Sequence, residues 1–244
     1  MRTRQASPGP ALPSDERARR ASDLTRREAP TLTPHAVLIA EQLMLLLLDP
    51  ERGELDVRYD ATDPDRLGAA ALLLDLADQR NLGHRNGYIA YHPRFPSGHP
   101  LLVTAGEALA SAGPGVPLGA ALDLIETRTR PVSRALLEGL HRRDLLHRIK
   151  HPAWSPWAKW RYPLRSLQAR NEALAMLRDG VQRAPLREQG LLILVDCAGR
   201  LASFLDAGAH TRATASLLAF AHLRESGDAN ASLLASLRAT LLDD

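Results

Sequence analysis

The chain has one cysteine, Cys197, and two lysines, Lys150 and Lys159, and aromatic residues make up only 4% of it. A lone cysteine excludes a disulfide framework and fits a reducing compartment such as the cytoplasm. Set in an apolar stretch, it reads as a small buried hydrophobe rather than a nucleophile. Scarce aromatics in a chain rich in Ala, Leu and Arg favour helix over strand. The opening MRTRQASPGP lacks the apolar core of a signal peptide. Walker A, GxSxG and GxGxxG patterns are missing, so no enzyme activity and no cofactor is expected. His147 and His151 stand four apart, but the glutamate of HExxH is missing and Pro152 ends any helix there, so no metal site is expected.

What the chain does have is helical apolar pattern. Leu186–Leu205, LREQGLLILVDCAGRLASFL, is apolar nearly all round a helix and is the expected central, buried element. Its exceptions Gln189, Asp196, Arg200 and Ser203 share one stripe, with Asp196 and Arg200 spaced as an i,i+4 ion pair. The run falls short of the ~20 apolar residues a bilayer span needs and contains two charges.

Residues 1–30 carry Pro8, Pro10, Pro13 and the run ERARR without apolar periodicity, and read as a disordered basic tail. Residues 31–244 then read as one helical domain. Thr33 as N-cap, Pro34 at the first helical position and a Leu32–Val37 staple open the first helix, which Asp49-Pro50 closes. Asp63-Pro64 opens a second strongly apolar helix, RLGAAALLLDLADQRNL. GYIAYHP alternates like a short strand, and FPSGHPLL turns into the helix LLVTAGEALASAG. Further helices are expected over Leu118–Glu126, over PVSRALLEGLHRRDLL, from Ser166 to a stop at Gly180, and around Arg212–Glu225 and Ala231–Leu242. Between them HRIKHPAWSPWAKWRYPL, with Pro152, Pro156 and Pro163, reads as a hairpin or loop.

Charge is unevenly spread. Residues 1–29 hold seven arginines against four acids, and residues 128–170 hold eleven Lys/Arg against two acids, so the rest of the chain is acidic although the net charge is only +3. Two basic patches on an acidic body suit a polyanionic partner. The second patch contains all three tryptophans, Trp154, Trp157 and Trp160, beside Arg148, Lys150, Lys159 and Arg161. At a membrane, indoles settle among headgroups while Arg and Lys meet lipid phosphates. On single-stranded nucleic acid the same residues would stack and pair, and a basic helix followed by an aromatic hairpin also describes a winged helix-turn-helix. A third reading tucks the aromatics into the core, and a fourth docks the hairpin on a second subunit as a homo-oligomer.

Several stretches taken in order resemble the Golgi phosphoprotein 3 family: LTPHAVLIAEQLMLLLLDPERGEL, LGAAALLLDLADQRNL, FPSGHPLL, SRALLEGLHRRDLLHR followed by WRYPL, and LLILVDCAGRLASFL. The resemblance is to a bacterial member and covers about residues 31–205 or beyond. It implies a mainly α fold, a single globular domain of amphipathic helices around a central hydrophobic helix, with a protruding β-hairpin at about Ile149–Tyr162. It also implies a non-enzymatic, cytoplasmic, peripherally membrane-associated adaptor for protein clients, since eukaryotic members bind phosphatidylinositol 4-phosphate. Of the family's headgroup residues, the tryptophan falls near Tyr59 or Asp60 and the helix-start arginine near Ala69, one turn after Arg66. Arg130 matches, and the second arginine of that pair falls at Ser133, beside Arg134. The resemblance thus points to Arg66, Arg128, Arg130 and Arg134 as an anionic-lipid cluster, with Trp154, Trp157, Lys159 and Trp160 on the hairpin as its membrane-inserting or oligomer-forming partner.

Overall fold

The computed structural model describes residues 37–57, 61–150, 160–182, 185–223 and 227–243. Three apolar helices form its centre. Helix α1, Ile39–Leu47, buries Ile39, Ala40 and every residue from Leu43 to Leu47. Helix α2, Pro64–Asp78, is capped by Asp63, whose side chain accepts the Asp65 N–H at 2.8 Å, and buries every residue from Leu67 to Leu76. Helix α7, Leu186–Cys197, buries Gly190–Val195 and packs on both α1 and α2. Apolar residues on all sides of a helix leave no face for water, so the three helices shield one another.

The expected central helix over Leu186–Leu205 is therefore shorter and shares its place. Gly199, at φ +66°, ends it, and a separate turn, α8, covers Leu201–Phe204. A left-handed residue inside an apolar run breaks the helix where hydrophobicity alone would continue it. The Asp196–Arg200 pair is replaced by longer-range partners: Asp196 takes the Arg238 guanidinium at 3.0 Å, and Arg200 reaches Asp56 at 2.6 Å. Helix α2 has the wider set of neighbours, touching α1, α7 and four later helices.

Those helices are α3, Pro100–Ser111; α4, Leu118–Thr129; α5, Val132–Arg142; and α10, Ala229–Asp243. Helix α6, Leu167–Asp179, starts at Ser166, whose hydroxyl accepts the Ala169 N–H, and lies against α1 and α7. Helix α9, Ala207–Phe220, and a 3-10 turn at Ala221–Leu223 lead into α10. The starting signals Thr33, Pro34 and Leu32 of the first helix lie outside the described residues, whose first helical residue is Ile39. Helix α5 ends at Arg142 rather than running on through Leu146.

A small sheet joins β1, Leu82–Arg85, to β2, Tyr88–Tyr91, across an Asn86-Gly87 turn with both residues at positive φ. Strand β3, Val116–Pro117, pairs with β2. Helix α2 stops at Asp78, so the predicted last turn of the second helix becomes a turn at Gln79-Arg80, with β1 starting at Leu82. The second hairpin pairs β4, Ile149–Lys150, with β5, Trp160–Arg161, in the register Ile149↔Arg161 and Lys150↔Trp160. Its base is fixed by the loop after α1: the Tyr162 N–H donates to the Gly53 carbonyl at 2.7 Å and the Leu164 N–H to the Pro50 carbonyl at 3.2 Å. Gly53 sits at φ +69°, and a Cβ there would lie 2.4 Å from the Pro163 nitrogen. The contact admits only glycine.

Candidate functional site

Helix α2 organises the site at both of its ends. At its N-terminal end, Asp65 Oδ1 accepts the Ser133 backbone N–H at 2.8 Å and also the Ser133 hydroxyl. A carboxylate on one helix thereby caps the start of α5 on another. At its other end Asp75, which unlike Asp65 is fully buried, accepts the Ile39 and Ala40 N–H groups at 2.8 and 3.1 Å and caps α1. Burial pushes the Asp75 carboxyl up to about 7, against the two backbone donors and the Arg187 guanidinium, 3.8 Å away.

Next to the Asp63–Arg66 turn lies a surface depression of about 650 Å³. Its charged lining is Asp63 and Arg66 from the start of α2, Asp123 and Glu126 from α4, and Arg130 just after α4; its apolar side includes Leu241 and Leu242 of α10. Arg66 is 12% exposed and reaches both Asp123, through a hydrogen bond, and Glu126 at 3.9 Å. Arg130, 66% exposed, meets the other oxygen of Glu126 at 2.9 Å. Glu126 thus draws the two guanidiniums to one place, although 64 residues separate them in sequence.

Of the four arginines expected to converge, the structure brings Arg66 and Arg130 together. Arg134 instead donates to Glu138 Oε1 at 3.0 Å, where the Tyr162 hydroxyl also approaches at 3.5 Å. The Arg134 hydrogen bond holds Glu138 below the usual carboxylate range. Arg128 is exposed on the last turn of α4 and is not among the lining side chains. Ala69 is fully buried on α2, whereas Arg66, one turn earlier, faces the depression. The Tyr59 and Asp60 positions lie outside the described residues.

Trp154, Trp157 and Lys159 also lie outside the described residues, as does His151. Trp160 is described and is half-buried against the core, with the Arg148 guanidinium stacked 3.9 Å above its ring. Stacking on a guanidinium holds the indole at the hairpin base. Ile149, across from Arg161, is exposed. Cys197 is buried, and burial pushes its thiol up to about 12, so it stays protonated at neutral pH.

Read from the sequence, Asp63 is marked only as a helix cap, and Asp123 and Glu126 are not singled out. Glu126 and Arg130 have acid-then-base i,i+4 spacing, a signal that could have found that pair. Asp63 and Asp123 come from separate helices and carry no such mark. Among the described residues no helix is long and apolar enough to cross a membrane, and no group of three or more His, Cys, Asp or Glu is placed to hold a metal ion.

Compared with known families, residues 39–240 match the model described as Golgi phosphoprotein 3 (GPP34), from the first residue of α1 into the last turn of α10. No curated protein matches the chain.

Proposed function

The chain belongs to the Golgi phosphoprotein 3 family, and from that membership we propose that it is a peripheral membrane protein that binds anionic phospholipid headgroups and acts as an adaptor rather than an enzyme. The observation that carries the reading is the meeting of Arg66 and Arg130 on Glu126 at the edge of an open depression. Guanidinium forks match phosphate oxygens, and Arg130 is exposed enough to turn towards one. Arg128 and Arg134, both exposed, add positive charge around it.

A single weak headgroup contact gives only marginal attachment, so a second element is required. The Trp-rich segment supplies it: Trp154, Trp157 and Lys159 enter the headgroup layer while Trp160, under Arg148, anchors the hairpin base. The basic tail over residues 1–30 adds nonspecific attraction that salt screens.

Sedimentation of the full-length protein with vesicles tests the reading. Vesicles of phosphatidylcholine, whose quaternary ammonium has no N–H to donate, of generic anionic lipid, and of phosphatidylinositol 4-phosphate at matched charge are compared at low and physiological salt. The expected result is pelleting with anionic vesicles and none with neutral ones. Retention at physiological salt marks a headgroup pocket, and loss on raising salt marks a basic surface alone. Absence of pelleting with every vesicle overturns the proposal.

A further inference from the structure

We propose that the depression between Arg66 and Arg130 recognises a headgroup bearing both a phosphodiester and an ammonium group, the chemistry of an aminophospholipid. The inference rests on the phospholipid reading above and names the headgroup class. It follows from the charges that line the site. Three carboxylates, Asp63, Asp123 and Glu126, face two guanidiniums, Arg66 and Arg130. A phosphomonoester carries about −1.5 to −2 at neutral pH and needs surplus positive charge around it. Among the side chains that line the depression the surplus is negative.

The positions of the charges divide the site. Arg66 is nearly enclosed and already tied to Asp123 and Glu126. Arg130 is mostly exposed and held by a single carboxylate, so it is the guanidinium able to take a phosphodiester oxygen. Asp123 is 68% exposed, and Asp63 is exposed at the start of α2, using Oδ1 to cap the Asp65 N–H. Those two carboxylates suit an ammonium group, which donates in three directions and is attracted through a medium less screening than bulk water. Leu242, 53% exposed beside them, offers an apolar seat where the headgroup joins its glycerol. A linked ammonium and phosphodiester answers both signs of charge; a phosphate alone answers one.

Phosphatidylserine and phosphatidylglycerol carry the same net charge; the first adds an ammonium and a carboxylate, and the aspartate variants isolate the ammonium. The whole chain is therefore sedimented with phosphatidylcholine vesicles doped with either lipid at equal mole fraction, and with the same vesicles after adding soluble glycerophosphoserine. The expected result is several-fold tighter binding to phosphatidylserine, competed by the soluble headgroup. In the Asp63→Asn, Asp123→Asn double variant the preference for phosphatidylserine over phosphatidylglycerol should vanish. Asparagine is as good an N-cap as aspartate and Asp123 is at the surface, so the fold is preserved; circular dichroism checks this. Equal binding to the two lipids, or a preference that survives in the double variant, overturns the aminophospholipid inference and leaves the phospholipid reading standing. Binding to neither vesicle overturns both, unless glycerophosphoserine itself binds by calorimetry, which upholds the recognised chemistry and assigns it to a soluble compound.

Discussion

Ser133 gives both its backbone N–H and its hydroxyl to one oxygen of Asp65, 68 residues earlier in the chain. The bond fixes the start of α5 to the start of α2, and with it the arc that carries Arg130 and Arg134. At the position where the resemblance sets a headgroup arginine, this chain has a helix clamp.

Asp65→Ala should therefore destabilise the protein by about 0.5–2 kcal/mol, the range for a lost N-cap. Asp65→Asn, which keeps an acceptor, should cost less. Urea denaturation of the two variants measures the difference, and an Asp65→Ala variant as stable as the parent would show that α5 needs no clamp.

Asp75 makes stability depend on pH in an unusual direction. Its folded value of about 7 lies above the ordinary 3.8, because burial outweighs the donors at Ile39 and Ala40 and the nearby Arg187, and Asp78 adds repulsion. An acid with a raised folded pKa binds its proton more tightly when folded. Its contribution is fully present below the unfolded value and is lost as pH rises through about 7. The advantage of the parent over Asp75→Asn should thus shrink by about 2–3 kcal/mol between about pH 5 and about pH 8, at 1.4 kcal/mol per unit. Denaturation across that range checks the slope, and a pH-independent difference contradicts it.

Gly53→Ala should loosen the second hairpin. The new Cβ would meet the Tyr162 and Pro163 backbone at 2.4–2.6 Å, in a left-handed conformation that side chains resist. A loss of roughly 1–3 kcal/mol is expected, together with faster limited proteolysis between β4 and β5. Unchanged cleavage would mean that the loop after α1 does not hold the hairpin.

The helices were largely legible because apolar periodicity and caps are local signals: Asp63-Pro64 and Ser166 open α2 and α6 as read. The family was legible in the order of those helices. What escaped the sequence was long-range. Gly199 looked like one small residue in an apolar run until its positive φ ended α7. LGHR lacks the alternation of a strand, and it is paired as β1 only because Tyr88–Tyr91 lies opposite. Asp65 and Asp75 look like surface acids of a helix, yet each caps a different helix. At the candidate site Arg66 and Arg130 were named, but the acids that position them come from elements whose proximity only folding creates.

The most direct measurement is vesicle sedimentation of the parent and Arg130→Ala, with Arg134→Ala beside it, at low and physiological salt. Arg130 lines the depression and Arg134 is held by Glu138. Loss of a charge-assisted contact worth about 1.5–3 kcal/mol corresponds to about tenfold or more in affinity. The expected result is that Arg130→Ala weakens binding to anionic vesicles by at least this factor, that Arg134→Ala weakens it less, and that neither binds phosphatidylcholine vesicles. A parent protein that pellets with no vesicle, or an Arg130→Ala variant that binds like the parent at both salt levels, would contradict the account.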